Sequence, residues 1–197
     1  MNNSVDDDCA DPASNVPEDP VITLTRAWVG RAVIGLNLCP FARPVQQAGR
    51  IRYIVTHVRQ TGALADVLAD ELERLAAADG ADIETTLIVH PDVLQDFLDY
   101  NDFLDVADAL VEEMKLDGVV QVASFHPRYQ FEGTLPDDIG NFSNRSPYPT
   151  LHLLREESVE RAVATHPDVD SIPRRNIATL EKLGLDGWKK LDVDAPE

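Results

Sequence analysis

Along the chain, short runs of β-branched residues alternate with longer segments whose apolar positions recur every three or four residues, the pattern of strands separated by amphipathic helices. Residues 51–58 (IRYIVTHV) and 83–90 (IETTLIVH) have the composition of strands, and between them Leu64, Val67, Leu68, Leu72 and Leu75 form one helical stripe. Over residues 92–116 the apolar positions Val93, Phe97, Tyr100, Leu104, Ala107, Val111 and Met114 alternate spacings of four and three, which predicts a second helix that Asn101 and Asp102 could divide. As a heptad seam it lasts only about three repeats, so a core-facing helix is expected rather than a coiled coil. Gly118 leads into a third strand, VVQVASFH, and right-handed crossovers would make the three strands parallel. A fourth, TLHLLR, follows residues 127–149 with no helix between, and is therefore free to run antiparallel.

The segment from Thr23 to Leu38 is apolar on nearly every side, which predicts a buried helix ended by Pro40. Two shorter helices are expected near 157–165 and 173–183, the second with Ser171 as candidate N-cap, proline in its first turn and Gly184 after its end. Residues 1–20, rich in Pro, Asp, Asn and Ser, bury too little to offset ordering and read as a disordered acidic tail. Residues 191–197 read as a polar tail anchored by Trp188. The expected fold is α/β: one domain over 21–190, with a mixed sheet of about four strands (β-α-β-α-β-β) flanked by helices around a buried N-terminal helix.

Charge refines this picture. The formal net charge of −18 disfavours nucleic acid and anionic membranes as partners. No apolar run is long enough to span a bilayer, and the N-terminal residues lack the order of a secretion signal, so a cytoplasmic location is expected. Residues 21–60 depart from the acidic background, with Arg26, Arg31, Arg43, Arg50, Arg52 and Arg59 and no acid. Guanidinium groups suit planar anions, so a small anionic ligand fits this segment; pairing with acids elsewhere in the fold is the plainer reading and the favoured one. The acidic helix at 92–116 offers a surface for a basic protein partner.

Candidate chemistry gathers where parallel strands end, because ligands in open α/β sheets bind beyond the carboxyl ends. His57, His90 and His126 each fall at such an end, and the long loop beginning at Pro127 supplies Arg128, Tyr129, Glu132, Asn144, Arg145 and Tyr148. In this reading His126 is the acid or base, assisted by Cys39 or His152. Arg128 and Arg145 hold an anion, Asn144 orients it, and Glu132 and Tyr148 complete the ligand-binding set. Packing is the competing role for Cys39, since a helix carboxyl end raises a thiol pKa and unpaired cysteines are commonly buried. A topological difficulty stands beside it: a helix antiparallel to the first strand would end at the edge opposite the histidines. His90, His126 and His152 with Glu132 would suit zinc or iron chemically, yet no HxxxH, CxxC or HxE spacing supports a metal, and no metal or other cofactor is assigned. GxSxG, GxGxxG and GxxxxGK[ST] are likewise absent, and two cysteines in such different settings do not suggest a disulfide framework.

Four segments together, GLNLCPFARPV (35–45), FHPRYQFEGT (125–134), NRSPYPTLHLLRE (144–156) and IPRRNIATLEKLG (172–184), resemble a family of uncharacterised bacterial proteins defined only as a domain of unknown function. The resemblance covers about residues 23–188 and implies no activity, cofactor or catalytic residue. The residues alone therefore carry the expectation: an enzyme acting on a small anionic metabolite through a His/Arg site, with or without Cys39, or a binding or protein-interaction module without chemistry.

Overall fold

A computed structural model describes residues 19–166 and 168–196. The expected tail at 1–20 lies outside these residues up to position 18. Four strands form one sheet: β1 (Ile51–Val55), β2 (Thr85–Val89), β3 (Val120–Phe125) and β4 (Thr150–Arg155). Their order is β1-β2-β4-β3, with β1 and β2 parallel and β4 antiparallel to both of its neighbours. The chain is thus a mixed α/β protein of the expected class.

Helices α3 (Thr61–Ala77) and α4 (Phe97–Glu113) follow β1 and β2 and cover the same face of the sheet. Leu64, Leu68, Leu72 and Leu75 of α3 meet Tyr100, Phe103, Ala107 and Val111 of α4 over Ile88, Val120, Leu151 and Leu153. On the opposite face Trp28, Val29, Ala32 and Ile34 pack with Leu87, Leu180 and Trp188. Alternation along the strands assigns each side chain to one of these layers, and all five residues of β2 are buried.

The N-terminal helix begins earlier than the apolar pattern suggests and changes character midway. It starts at Pro20, capped by the Asp19 carboxylate accepting from the Val21 N–H at 2.8 Å, because proline is suited to the first turn. After α1 (Pro20–Trp28) the winding widens into a π-helix over Val29–Ile34 and stops well before the expected end at Leu38. A Cβ at Gly35 would sit 2.1 Å from the Arg31 carbonyl oxygen, so only glycine fits that exit. A short α2 (Ala42–Gln47) then leads to β1.

The second long helix is shorter than the 92–116 span, because residues 90–96 are held as an irregular connection in which Leu94 adopts φ 56°. Asn101 and Asp102 do not divide it. Downstream come a 3-10 turn (Ile139–Asn144), α5 (Glu156–Thr165), a second 3-10 turn (Val169–Ser171) and α6 (Ile172–Lys189). Gly184, at φ 66°, kinks α6 where the helix was expected to end. Ser171 precedes α6, but its hydroxyl donates to the Asp168 carbonyl instead of capping a helix N–H. Past α6, Val193 is buried in the second core layer and Asp194 accepts the Trp188 indole N–H at 3.0 Å.

Candidate functional site

β4 begins at the edge where β1, β2 and β3 end, so the loop from Pro127 leaves and returns at that one edge and keeps three strand-end histidines together. Their rings grip the connection between β2 and α4. The His57 Nδ1 lies 2.9 Å from the Asp92 carboxylate, His90 donates from Nδ1 to the Val93 carbonyl at 3.1 Å, and His126 donates from Nε2 to the Leu94 carbonyl at 3.2 Å. The Arg128 guanidinium completes the series by donating to the Gln95 carbonyl beside Asp96.

His126 is buried, and both of its nitrogens are engaged, since Nδ1 accepts the Arg128 backbone N–H at 3.0 Å. Burial pushes its pKa down to about 4; the Leu94 carbonyl and Asp96 oppose the shift, while Arg128 and Arg145 favour it. His90 is fully buried, its Nε2 has no partner among the described residues, and burial lowers its pKa to about 4 as well. His57 is largely exposed, and its hydrogen bond to Asp92 raises its pKa, with a further contribution from Asp19, 3.7 Å from Nε2. The Tyr100 ring lies between the two buried imidazoles, 5.8 Å from His90 and 5.1 Å from His126. Phe97, Tyr129 and Phe131 continue this row of rings outward at spacings of 5.0 to 5.5 Å.

The loop residues expected to bind an anion are engaged mainly with the loop itself. Arg145 stacks over Phe142 and donates to the Tyr129 and Pro136 carbonyls. Asn144 donates to the Ser124 carbonyl at 3.3 Å, tying the loop to β3. Glu132 is exposed, and Tyr148 is half-buried, its pKa raised by burial and by the charge of Asp19. The acid-free arginines are also largely committed: Arg52 binds Glu71 through two bonds of 2.7 and 2.9 Å, Arg50 binds Glu84 at 2.8 Å, and Arg31 holds the Leu191 and Asp192 carbonyls.

His152 lies on the other face of the sheet. It alternates with Leu151 and Leu153, which point at α3 and α4, and its ring is 5.9 Å from Phe125, which packs edge-on to Trp28. The Thr85 hydroxyl donates to the Leu153 carbonyl at 2.6 Å, so it must accept the His152 Nε2–H at 2.7 Å. That arrangement fixes the tautomer and leaves Nδ1 as an unshared lone pair, and burial lowers the pKa to about 4. Yet the residue as a whole keeps part of its surface in solvent. Sequence could not single out Thr85, because its relation to His152 depends on β4 settling beside β2.

Cys39 follows Leu38, whose carbonyl accepts from Asn176 of α6 at 2.9 Å, and precedes Phe41, which meets the His166 ring edge-on. Burial raises its thiol pKa, against the pull of the Phe41 and Ala42 backbone N–H groups. Leu38 belongs to the core layer opposite the one against which His126 packs. His90 and His126 share one face, His152 is on the other and Glu132 is exposed; among the described residues no group of three or more His, Cys, Asp or Glu could hold a metal ion. Nor is any described helix long and apolar enough to cross a membrane.

These features define a mixed-sheet α/β domain with a clamped strand-end loop and a separate half-open histidine. The chain belongs to the family described as "Protein of unknown function (DUF1415)", whose model matches residues 20–190. No curated protein and no solved structure matches it.

Proposed function

We propose that this chain is an enzyme acting on a small anionic molecule, with His152 as the group that accepts a proton. The observation that carries the reading is a partly exposed histidine whose Nε2 is locked onto Thr85 and whose Nδ1 bonds to none of the described residues. A base whose tautomer is fixed by an orienting partner, with the other nitrogen left as a lone pair, meets the first requirement of proton abstraction. The preference for an anion rests on the neighbouring layer: the helices between residues 21 and 47 that cover this face contain arginines and no acid. Cys39, whose thiol pKa burial raises, takes no nucleophilic part in this reading. His126, Arg128, Asn144 and Arg145 act in this reading by holding the strand-end loops, with Glu132 and Tyr148 at the periphery.

The test is turnover. Wild-type protein and the His152→Asn variant are incubated with a small-metabolite extract and followed by mass spectrometry. The expected result is depletion of an anionic metabolite by wild type, reduced at least about 100-fold in the variant, as befits loss of a general base. Equal depletion by both, or by neither, overturns the assignment.

One observation favours a second reading, a module that binds a basic protein. Helix α4 carries Asp99, Asp102, Asp105, Asp108, Glu112 and Glu113 without a base, and among the described residues none of these acids forms an ion pair, while Leu98 and Val106 stand exposed beside them. Partner recovery that survives neutralisation of the four aspartates would rule this surface out.

A further inference from the structure

The row of grips on residues 92–96 has a functional meaning of its own, independent of any chemistry at His152. Successive residues of this connection are held from different elements: Asp92 by His57 beyond β1, Val93 by His90 beyond β2, Leu94 by His126 beyond β3, and Gln95 by Arg128 of the long loop. Among the described residues the other ties on the connection include Asp96, which caps α4 by accepting the Leu98 and Tyr100 N–H groups, the Gln95 amide on the Pro91 carbonyl and the burial of Val93. Leu94 is held in the left-handed region, which an ordinary side chain leaves when released. We propose that the connection between β2 and α4 is a proton-operated latch: neutral His90 and His126 hold it shut, and protonation of both releases it while the sheet stays folded.

The hydrogen-bond directions supply the mechanism. His126 needs Nδ1 as an acceptor, because the Arg128 N–H points at it from 3.0 Å; a proton taken from solvent onto Nδ1 sets two donors against each other. Arg128 then loses the anchor that places its guanidinium on the Gln95 carbonyl and near Asp96. On His90 the added proton falls on Nε2, which is buried without an acceptor. The second imidazolium would share the Tyr100 ring with the first.

The groups facing these imidazoles bias the switch toward a sharp release. Arg128 and Arg145 repel a cation on His126, Asp96 attracts it, and His90 is further disfavoured by His126 itself. Tyr100 of α4 contributes only a neutral phenol, whose pKa burial raises. His57 works in the opposite sense, since it holds Asp92, with Asp19 nearby, more firmly when charged. On release Asp92 therefore stays tethered and residues 93–96 swing from it. The ring row from His90 to Phe131 then opens to solvent.

The Arg128 backbone amide is the reporter, because among the described residues its acceptor is the ring that titrates. Amide exchange of the full-length protein is followed by NMR from pH 7.5 to 4.5 and corrected for the intrinsic pH dependence. Between pH 6.5 and 5 protection at Arg128 is expected to fall so that it lies at least tenfold below that of Leu151 and Leu153 in β4, whose protection follows only global stability. Joint loss of protection at all three, or an Arg128 amide protected until β4 unfolds, overturns the latch. Ring nitrogen spectra at pH 7 give a second reading that needs no variant: His90 must carry its proton on Nδ1 and His126 on Nε2, and the reverse assignment also overturns it. In a His126→Phe variant the Arg128 amide is expected to be unprotected at every pH.

Discussion

At the scale of single residues, Tyr100 shows how a side chain can stand in for backbone pairing. Its hydroxyl donates to the Thr150 carbonyl at 2.8 Å and accepts the Phe125 N–H at 3.2 Å, bridging β3 and β4 where the two strands part. Tyr100→Phe would keep the packing and strand both backbone groups in the interior, so a loss of about 2 kcal/mol is expected from urea denaturation. A change below about 0.5 kcal/mol would mean that the strands close on each other once the hydroxyl is gone. Glu71 illustrates the same dependence on a partner: its buried carboxylate is bound on two oxygens by Arg52 and approached by Arg74 at 3.3 Å. Glu71→Ala leaves the Arg52 charge uncompensated in a half-buried place and is expected to cost about 2 to 3 kcal/mol.

Among the elements, the N-terminal helix is the one most dependent on a single small residue. Gly35→Ala places a methyl group against the Arg31 carbonyl and should force the π-helical turn to rewind, with a cost of about 1 to 3 kcal/mol by thermal or urea unfolding. Gly30, whose Cβ would meet nothing within 4 Å, is the control and should tolerate alanine. Strands and long helices were legible in the sequence because their signals are local: the leucine stripe of α3 and the β-branched run of β2 need only neighbours along the chain. The change from α to π winding was not legible, because no residue of Val29–Ile34 marks it locally. Nor was the true start of α4, where the apolar positions Val93 and Leu94 continue a helical period but belong to a connection held by distant imidazoles and an arginine. The site was legible in part: His57, His90 and His126 do share an edge, as parallel strands require. Which nitrogens are free, however, depends on carbonyls and hydroxyls brought in by tertiary structure.

For the whole molecule, three histidines lie far below their ordinary range, and this makes stability depend on pH. His90, His126 and His152 titrate near 4 when folded and near 6.5 when unfolded, so between these values the unfolded chain binds more protons. Stability is therefore greatest above pH 6.5 and falls as pH drops toward 4, by up to about 4 kcal/mol per pH unit while the connection at 92–96 stays shut. The fall is less steep once it opens and His90 and His126 take protons in the folded chain. Urea midpoints measured from pH 7.5 to 4.5 should show this slope, and a flat profile between pH 7 and 5 would contradict it. The order of the strands governs how the fold can be reached. β4 fills the slot between β2 and β3, so until residues 150–155 are in place β3 has no neighbour in the sheet and β2 is paired on one side only. A ribosome that has released the first 149 residues has made most of the helical cover and half of a sheet, with β3 exposing an unpaired edge. Productive folding must await the last strand, and the nascent chain is open to mispairing, or to chaperone capture, for as long as that strand takes to emerge.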